Sequence, residues 1–536
     1  MRGFEVNNKL KLIGFILLSM VLLFAIAGCG GESGDTTDNG AIDDNAVDEE
    51  KIFIIGRSND ARTLDTGYAF SEGEIDLMYH IYEGLVKYVN DDLDVGPSLA
   101  TDWSVSEDGT VWTFNLREGV KFHDGTDFNA DAVVFSFMRI LDENHPFYGL
   151  EDTSYSYLDY LLSAVIDDVV AIDDTTVEVR LNQVFGPFIT YMGLYSQFIV
   201  SPTAVETYGE DYFKNPCGTG PFKFDEWQRD EYVSLSRFED YWGEKPVISG
   251  IINKVIPEDS TRLMEIQAGT VHAIKSIQPA QLETIQNDDQ LEMIRVPGSN
   301  VFYIAVNHEA EPFDDVRVRQ AVCHAIDFDK LVENVYGGLG TRAVNSMPST
   351  IFGYNDEIEP YAYDPERAKE LLAEAGYPDG FEFDLNVFAE ARVMISRPVD
   401  AAEIMKSDLS KVGIIANVIV NEWGTHRPLV GAYEHQFATM GWYDIPYPSN
   451  FLQALVIDGA RHNYDTTELK VLADQALKSY DRDEQEIYYK RMQEIIHRDV
   501  VIINIAHSDY TAVVRKGVTG FVLDPIGNAQ MHNVDF

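Results

Sequence analysis

Basic side chains are scarce in this chain. It has 40 Lys and Arg against 89 Asp and Glu, a formal net charge of −49. Setting aside Glu5, the eight acids between Gly30 and Glu50, and Arg2, Lys9 and Lys11 leaves a body of about −43, so the acidity belongs to the folded part. Such a surface repels a phosphate backbone and excludes nucleic acid as a partner. It reads as a surface adapted to high salt, where self-repulsion is screened; full stability at low ionic strength would refute that. Cysteine is almost missing, with three in the chain. Nothing in the spacing requires Cys217 and Cys323 to pair, and both are expected as buried free thiols. Catalytic motifs are missing as well. There is no Walker loop, no Gly-x-Ser-x-Gly elbow and no Cys pair at metal spacing. His308-Glu309 lacks the second histidine of a metalloprotease motif. Gly338-Leu339-Gly340-Thr341-Arg342-Ala343 matches a dinucleotide pattern by letter, but it follows an expected helix, Phe328 to Tyr336, where the motif needs a strand. His426 and His435 are expected as packing or surface residues, and Asp91-Asp92, Asp167-Asp168 and Asp173-Asp174 as turns and solvated faces, not calcium sites. No metal and no cofactor is expected, and the chain reads as a binder, not an enzyme.

What is present begins with an export signal. Arg2, Lys9 and Lys11 precede an apolar run from Leu12 to Ile26, short for a membrane span and right for the core of a signal peptide. It ends Ile26-Ala27-Gly28-Cys29, the lipobox order of small residues before a cysteine. Residues 1–28 are therefore read as a lipoprotein signal peptide and Cys29 as the lipidated residue. Residues 29–50, rich in Gly, Ser, Thr, Asp and Asn, are read as a disordered tether. The protein is expected on the extracellular face of the cell membrane. An uncleaved anchor would put it in the same place.

At 536 residues the chain is too long for one core, and two or three domains are expected. Lys51 to Arg57 suits a first strand, and apolar residues at helical spacing predict a helix from Glu72 to Tyr88. Val111 to Leu116 and Thr176 to Leu181 alternate as strands, and Asn129 caps a helix from Ala130 to Leu141. Asp364-Pro365-Glu366 opens another helix. Strands at Val301 to Val306, Phe381 to Phe388, Ile414 to Val420 and Val500 to Ile505 alternate with helical stretches, which predicts an α/β fold. Phe437 to Met440 starts like a buried strand and is expected to break at Gly441. It then enters the aromatic loop Trp442-Tyr443-Asp444-Ile445-Pro446-Tyr447-Pro448. Asp444 is either a surface turn former or a charge held among aromatics for a cationic partner.

Six separated stretches, in order, resemble the peptide/nickel class (family 5) of extracellular solute-binding proteins of ABC importers. They are Leu99-Ala100-Thr101-Asp102-Trp103 through Gly125; Gly218-Thr219-Gly220-Pro221-Phe222 with Asp240-Tyr241-Trp242; Asn307 with Pro312 to Ala321; Tyr363 to Ala368 with Leu371 to Pro378; Glu422-Trp423-Gly424-Thr425; and Gly441-Trp442-Tyr443-Asp444 with Asn450-Phe451-Leu452. The resemblance implies a two-lobed periplasmic-binding-protein-like fold of type II. Residues 51–300 and 505–536 would form the first lobe, with an extra subdomain at about 81–200. Residues 301–504 would form the second, and two crossing segments would act as hinge. It implies a di- or oligopeptide ligand, delivery to permease subunits, and a monomer. Asp444 would pair with the peptide α-amino group and Arg397, in Ser396-Arg397-Pro398, with its carboxylate. Trp442, Trp423 and Tyr443 would line side-chain pockets with Gly441, and Gly218, Thr219 and Gly220 would approach from the other lobe. A nickel-chelate or oligosaccharide receptor of the same family is the alternative, and a surface hydrolase the alternative from another class.

Overall fold

The computed structural model describes residues 51–536 except 70, 90–93, 152–155, 444, 460 and 525. The expected signal peptide, Cys29, the tether, Asp91-Asp92 and Asp444 lie outside the described residues. No described helix is long and apolar enough to cross a membrane.

One twelve-stranded sheet organises the chain. In one half, Ile52–Arg57 pairs in parallel with Gly250–Val255 and Ala273–Lys275, and Tyr232–Arg237 and Phe222–Gln228 continue it antiparallel. In the other half, Asn300–Val306 pairs antiparallel with Phe437–Tyr443, and Glu382–Phe388 and Ile415–Asn421 follow. The 14-residue strand Ile502–Arg515 belongs to both. Its first residues pair with Phe302–Ala305, and Asp509 to Arg515 pair with Pro297 to Leu291. It crosses from one half to the other, and so does the chain between Leu291–Pro297 and Asn300–Val306. The crossings are tied together by Asn300, which is fully buried. Its Nδ2 donates to the Ser508 carbonyl at 2.9 Å, its Oδ1 accepts from the Ser508 amide at 2.9 Å, and its carbonyl lies 2.6 Å from His507 Nδ1.

Strand alternation explains how one strand serves two cores. Val301, Tyr303 and Ala305 face one apolar cluster, and Phe302, Ile304 and Val306 face another. A separate four-stranded sheet (Ala100–Val105, Val111–Leu116, Thr176–Leu181, Ile166–Asp173) carries the helix Ala130–Leu141. That helix starts where Asn129 accepts from the Ala132 amide. Asp364 likewise caps Pro365–Glu374 by accepting from the Arg367 amide. The helix Phe328–Tyr336 ends at Gly337 in the left-handed conformation, so the dinucleotide-like letters mark a helix end. Cys217 and Cys323 are buried free thiols.

Three expectations need correction. The helix from Glu72 stops at Ile81, and Val86–Tyr88 forms a short strand with Val95–Pro97, because the pairing partner overrides the helical spacing. The strand Phe437–Tyr443 runs through Gly441, which sits opposite Phe302; a Cβ there would overlap the side chain of Met394, so glycine marks a close contact and no break. The last strand extends ten residues beyond Ile505, to Arg515.

Candidate ligand-binding site

The pairing of Phe437–Tyr443 with Asn300–Val306 brings Trp442 and Tyr443 beside the crossings: Tyr443 lies opposite Asn300 and Trp442 opposite Val301. Tyr443 is 53% exposed, although its neighbours in the strand are buried or half-buried. Trp442 is half-buried, and its Nε1 is sealed from solvent without a hydrogen-bond partner among the described residues. Across the Asn300 tie, Tyr510 on the long strand feels the charges of Glu72 and Tyr443, and burial pushes its hydroxyl pKa upward.

A tight turn beyond Glu382–Phe388 supplies the cation of this region. Arg392 and Ile395 exchange backbone hydrogen bonds at 2.8 and 2.9 Å, which turns the chain and presents Arg392. Its guanidinium lies 3.7 Å from the centre of the Trp423 ring. Burial lowers its pKa, and the charge of Glu390 works the other way. Arg392 Nε is sealed and makes no hydrogen bond. Trp423 opens the helix Trp423–Gly431, and its amide donates to Glu390 Oε1 at 2.8 Å. That bond is the main reason the Glu390 carboxyl sits below its ordinary range. His426 Nδ1 and Thr439 Oγ1 are also sealed and have no partner among the described residues. His426 packs against Trp423 and Phe388, and its Nε2 donates to the Thr439 carbonyl at 2.8 Å. The arrangement thus combines aromatic faces, one guanidinium and several polar atoms whose bonding capacity the protein leaves unused.

Arg397 is placed differently from the expectation. It is the N-cap of Pro398–Ser410, and its guanidinium donates to the Val335 carbonyl at 2.6 and 3.2 Å and to the Asn334 carbonyl. It closes the C-terminal turn of Phe328–Tyr336, where carbonyls lack helical partners. Arg392, five residues earlier, keeps its Nε without a partner among the described residues and lies against Trp423. The Arg-Pro pair in the sequence points to Arg397 and gives no sign of Arg392. The only local signal was a basic residue in an otherwise acidic and apolar stretch.

Gly218, Thr219 and Gly220 approach protein backbone. A Cβ on Gly218 or Gly220 would overlap the carbonyls of Ile81 and His80, and the Gly220 amide donates to the Ile81 carbonyl at 3.0 Å. Thr219 is fully buried and donates to Glu83 at 2.9 Å. Tyr241 and Trp242 donate to the same carboxylate, and burial raises its pKa. These residues seat the end of the helix Glu72–Ile81. Among the described residues, no three His, Cys, Asp or Glu side chains gather to hold a metal.

The model of the family "bacterial extracellular solute-binding proteins, family 5 Middle" matches residues 94–463. The chain belongs to this family. As a family 5 solute-binding protein it has the two-lobed α/β fold of solved relatives. It superposes on HbpA2 from Haemophilus parasuis with a TM-score of 0.85 and 31% identity, over 90% of this chain and 99% of that one. It is 35% identical to heme-binding protein A of Haemophilus influenzae, over 85% of this chain and 86% of the relative. It is also 35% identical to the dipeptide-binding protein of Escherichia coli, over 85% and 88%.

Proposed function

We propose that this family 5 protein captures di- or short oligopeptides between its lobes and hands them to the permease of an ABC importer, working as a monomer anchored outside the membrane through lipidated Cys29. The lobes divide at the two crossings tied by Asn300 and Ser508, close to residues 300 and 505, and residues 81–200 hold the extra subdomain. Binding, with no chemical step, is the whole of its activity.

The observation that carries the reading is Arg392: a guanidinium stacked on Trp423, with an unused Nε, beside the strand that ends at Tyr443 and leads into Asp444. A free peptide is a zwitterion. Arg392 takes its carboxylate and Asp444 its amino group through charge-assisted hydrogen bonds. Gly441, Trp442, Tyr443 and Trp423 then form roomy, aromatic surroundings that tolerate varied side chains. Arg397, Gly218, Thr219 and Gly220 support the scaffold.

Mass spectrometry of small molecules released from the purified protein tests this directly. Short peptides are the expected cargo. Haem, a nickel chelate or a sugar in their place would replace the peptide reading while leaving the family untouched. Asp444→Asn should weaken peptide binding by about 3–5 kcal/mol, as when one partner of a buried charge pair is removed. Unchanged affinity in calorimetry would remove Asp444 from the site.

A further inference from the structure

The two halves of the molecule meet a second time, far in sequence from the crossings. Tyr191 ends the short helix Phe188–Tyr191, which follows the four-stranded sheet of the first half. Its hydroxyl lies 3.0 Å from Ser449 Oγ and donates to Asn450 Oδ1 at 2.9 Å. Ser449 and Asn450 sit a few residues beyond Tyr443, and Asn450 Nδ2 holds the Ile445 carbonyl at 3.3 Å. The Tyr191 ring also meets Tyr447 edge-on, with centres 5.9 Å apart. Tyr191, Ser449 and Asn450 are 3, 6 and 4% exposed, so the contact is closed to water.

Beside it, backbone meets backbone. The Gly186 amide donates to the Leu477 carbonyl at 2.6 Å, and a Cβ on Gly186 would overlap the Ser479 carbonyl. Tyr480 reaches back to donate to the Gly109 carbonyl at 2.7 Å. These polar bonds sit beside ring contacts that also cross the seam, Tyr191 with Tyr447 and Trp112 with Tyr480. Polar partners can be exchanged for water when two surfaces part, whereas buried apolar area cannot be released without cost. The hydrogen bonds are the part of this contact that water can replace if the surfaces part.

We propose that Tyr191 is a positioning residue of the binding cycle. Its hydroxyl latches the first half onto the segment 445–450, so that closing the lobes also braces the loop that follows Tyr443. This rests on the peptide-binding reading for its ligand arm and stands without it for its closing arm. Tyr191→Phe keeps the ring and removes the latch. In the full-length protein it should speed peptide dissociation about fivefold with little change in association, the factor expected for a net hydrogen bond. Hydrogen exchange at the Gly186 amide should rise by a similar factor with or without peptide. Gly186→Ala should wedge the seam and speed dissociation further. Tyr191→Phe combined with Ser449→Ala should lose no more than Tyr191→Phe alone, because Ser449→Ala removes one of the two bonds that Tyr191→Phe already removes; a local packing defect would give effects that multiply. Wild-type dissociation and wild-type Gly186 exchange in Tyr191→Phe would overturn the latch, as would multiplying effects in the double variant. If no peptide binds the wild-type protein, the functional reading fails, and Gly186 exchange still decides the latch.

Discussion

Two buried cations in one half of the molecule contrast with a half-buried one in the other. On the side of Ile52–Arg57, Lys275 is 5% exposed and bonds both Asp76 oxygens at 2.9 and 2.8 Å, Glu72 at 2.7 Å and the Gly527 carbonyl at 2.8 Å. Arg139 on the same side grips Asp65 with both terminal nitrogens, at 2.8 and 2.5 Å. Beside Phe437–Tyr443, Arg392 has an aromatic face for a neighbour and no ion pair within 4 Å among the described residues. A cation answered by its own chain is part of the scaffold. A partly desolvated cation that feels Glu390 without touching it has room for a ligand carboxylate under the proposed reading.

The largest effect should come from breaking the scaffold type. Asp65→Asn strands the buried Arg139 charge and should cost about 3–5 kcal/mol of stability in denaturant titration, with peptide affinity of the folded fraction unchanged. Next comes Arg392→Gln. It should weaken peptide binding by about 2–4 kcal/mol in calorimetry while melting moves little, the reverse of Asp65→Asn. If Arg392→Gln instead lowers melting and spares affinity, the contrast collapses. Acid should blur it, because buried neutral histidines occur in both halves. Burial pushes His80 and His308 down to about 3, and His435, His462 and His507 to about 4. Their folded pKa values lie below the unfolded value near 6.5. Their contribution is therefore full above about pH 6.5 and is lost as pH falls toward 4. Melting followed between pH 7 and pH 5 should show a loss of roughly 2 kcal/mol or more. The smallest effect belongs to Arg397→Gln: about 1 kcal/mol of stability from the lost carbonyl bonds, and unchanged affinity, which separates it from its neighbour Arg392.

Much of this protein was legible along the chain. Caps such as Asn129 and Asp364 act within one helical turn, and strand alternation acts at a spacing of two, so local rules locate them. Where a partner far away decides, local rules failed. The helix from Glu72 was cut short by the pairing of Val86–Tyr88 with Val95–Pro97, and Gly441 stayed within its strand because Asn300–Val306 lies alongside.

By itself the sequence determined the family, the succession of strands and helices, and the short aromatic stretch around Trp442 and Tyr443, because these rest on neighbours and on ordered motifs. The tertiary structure alone decided which arginine has hydrogen bonds to give. Arg397 is occupied by carbonyls more than sixty residues earlier in the chain, Asn334 and Val335, and Arg392 meets an indole thirty-one residues later. It alone joined Tyr191 to Asn450, a pair 259 residues apart. Hydrogen-bonding capacity is spent between groups that folding brings together, and no local pattern records which groups those are.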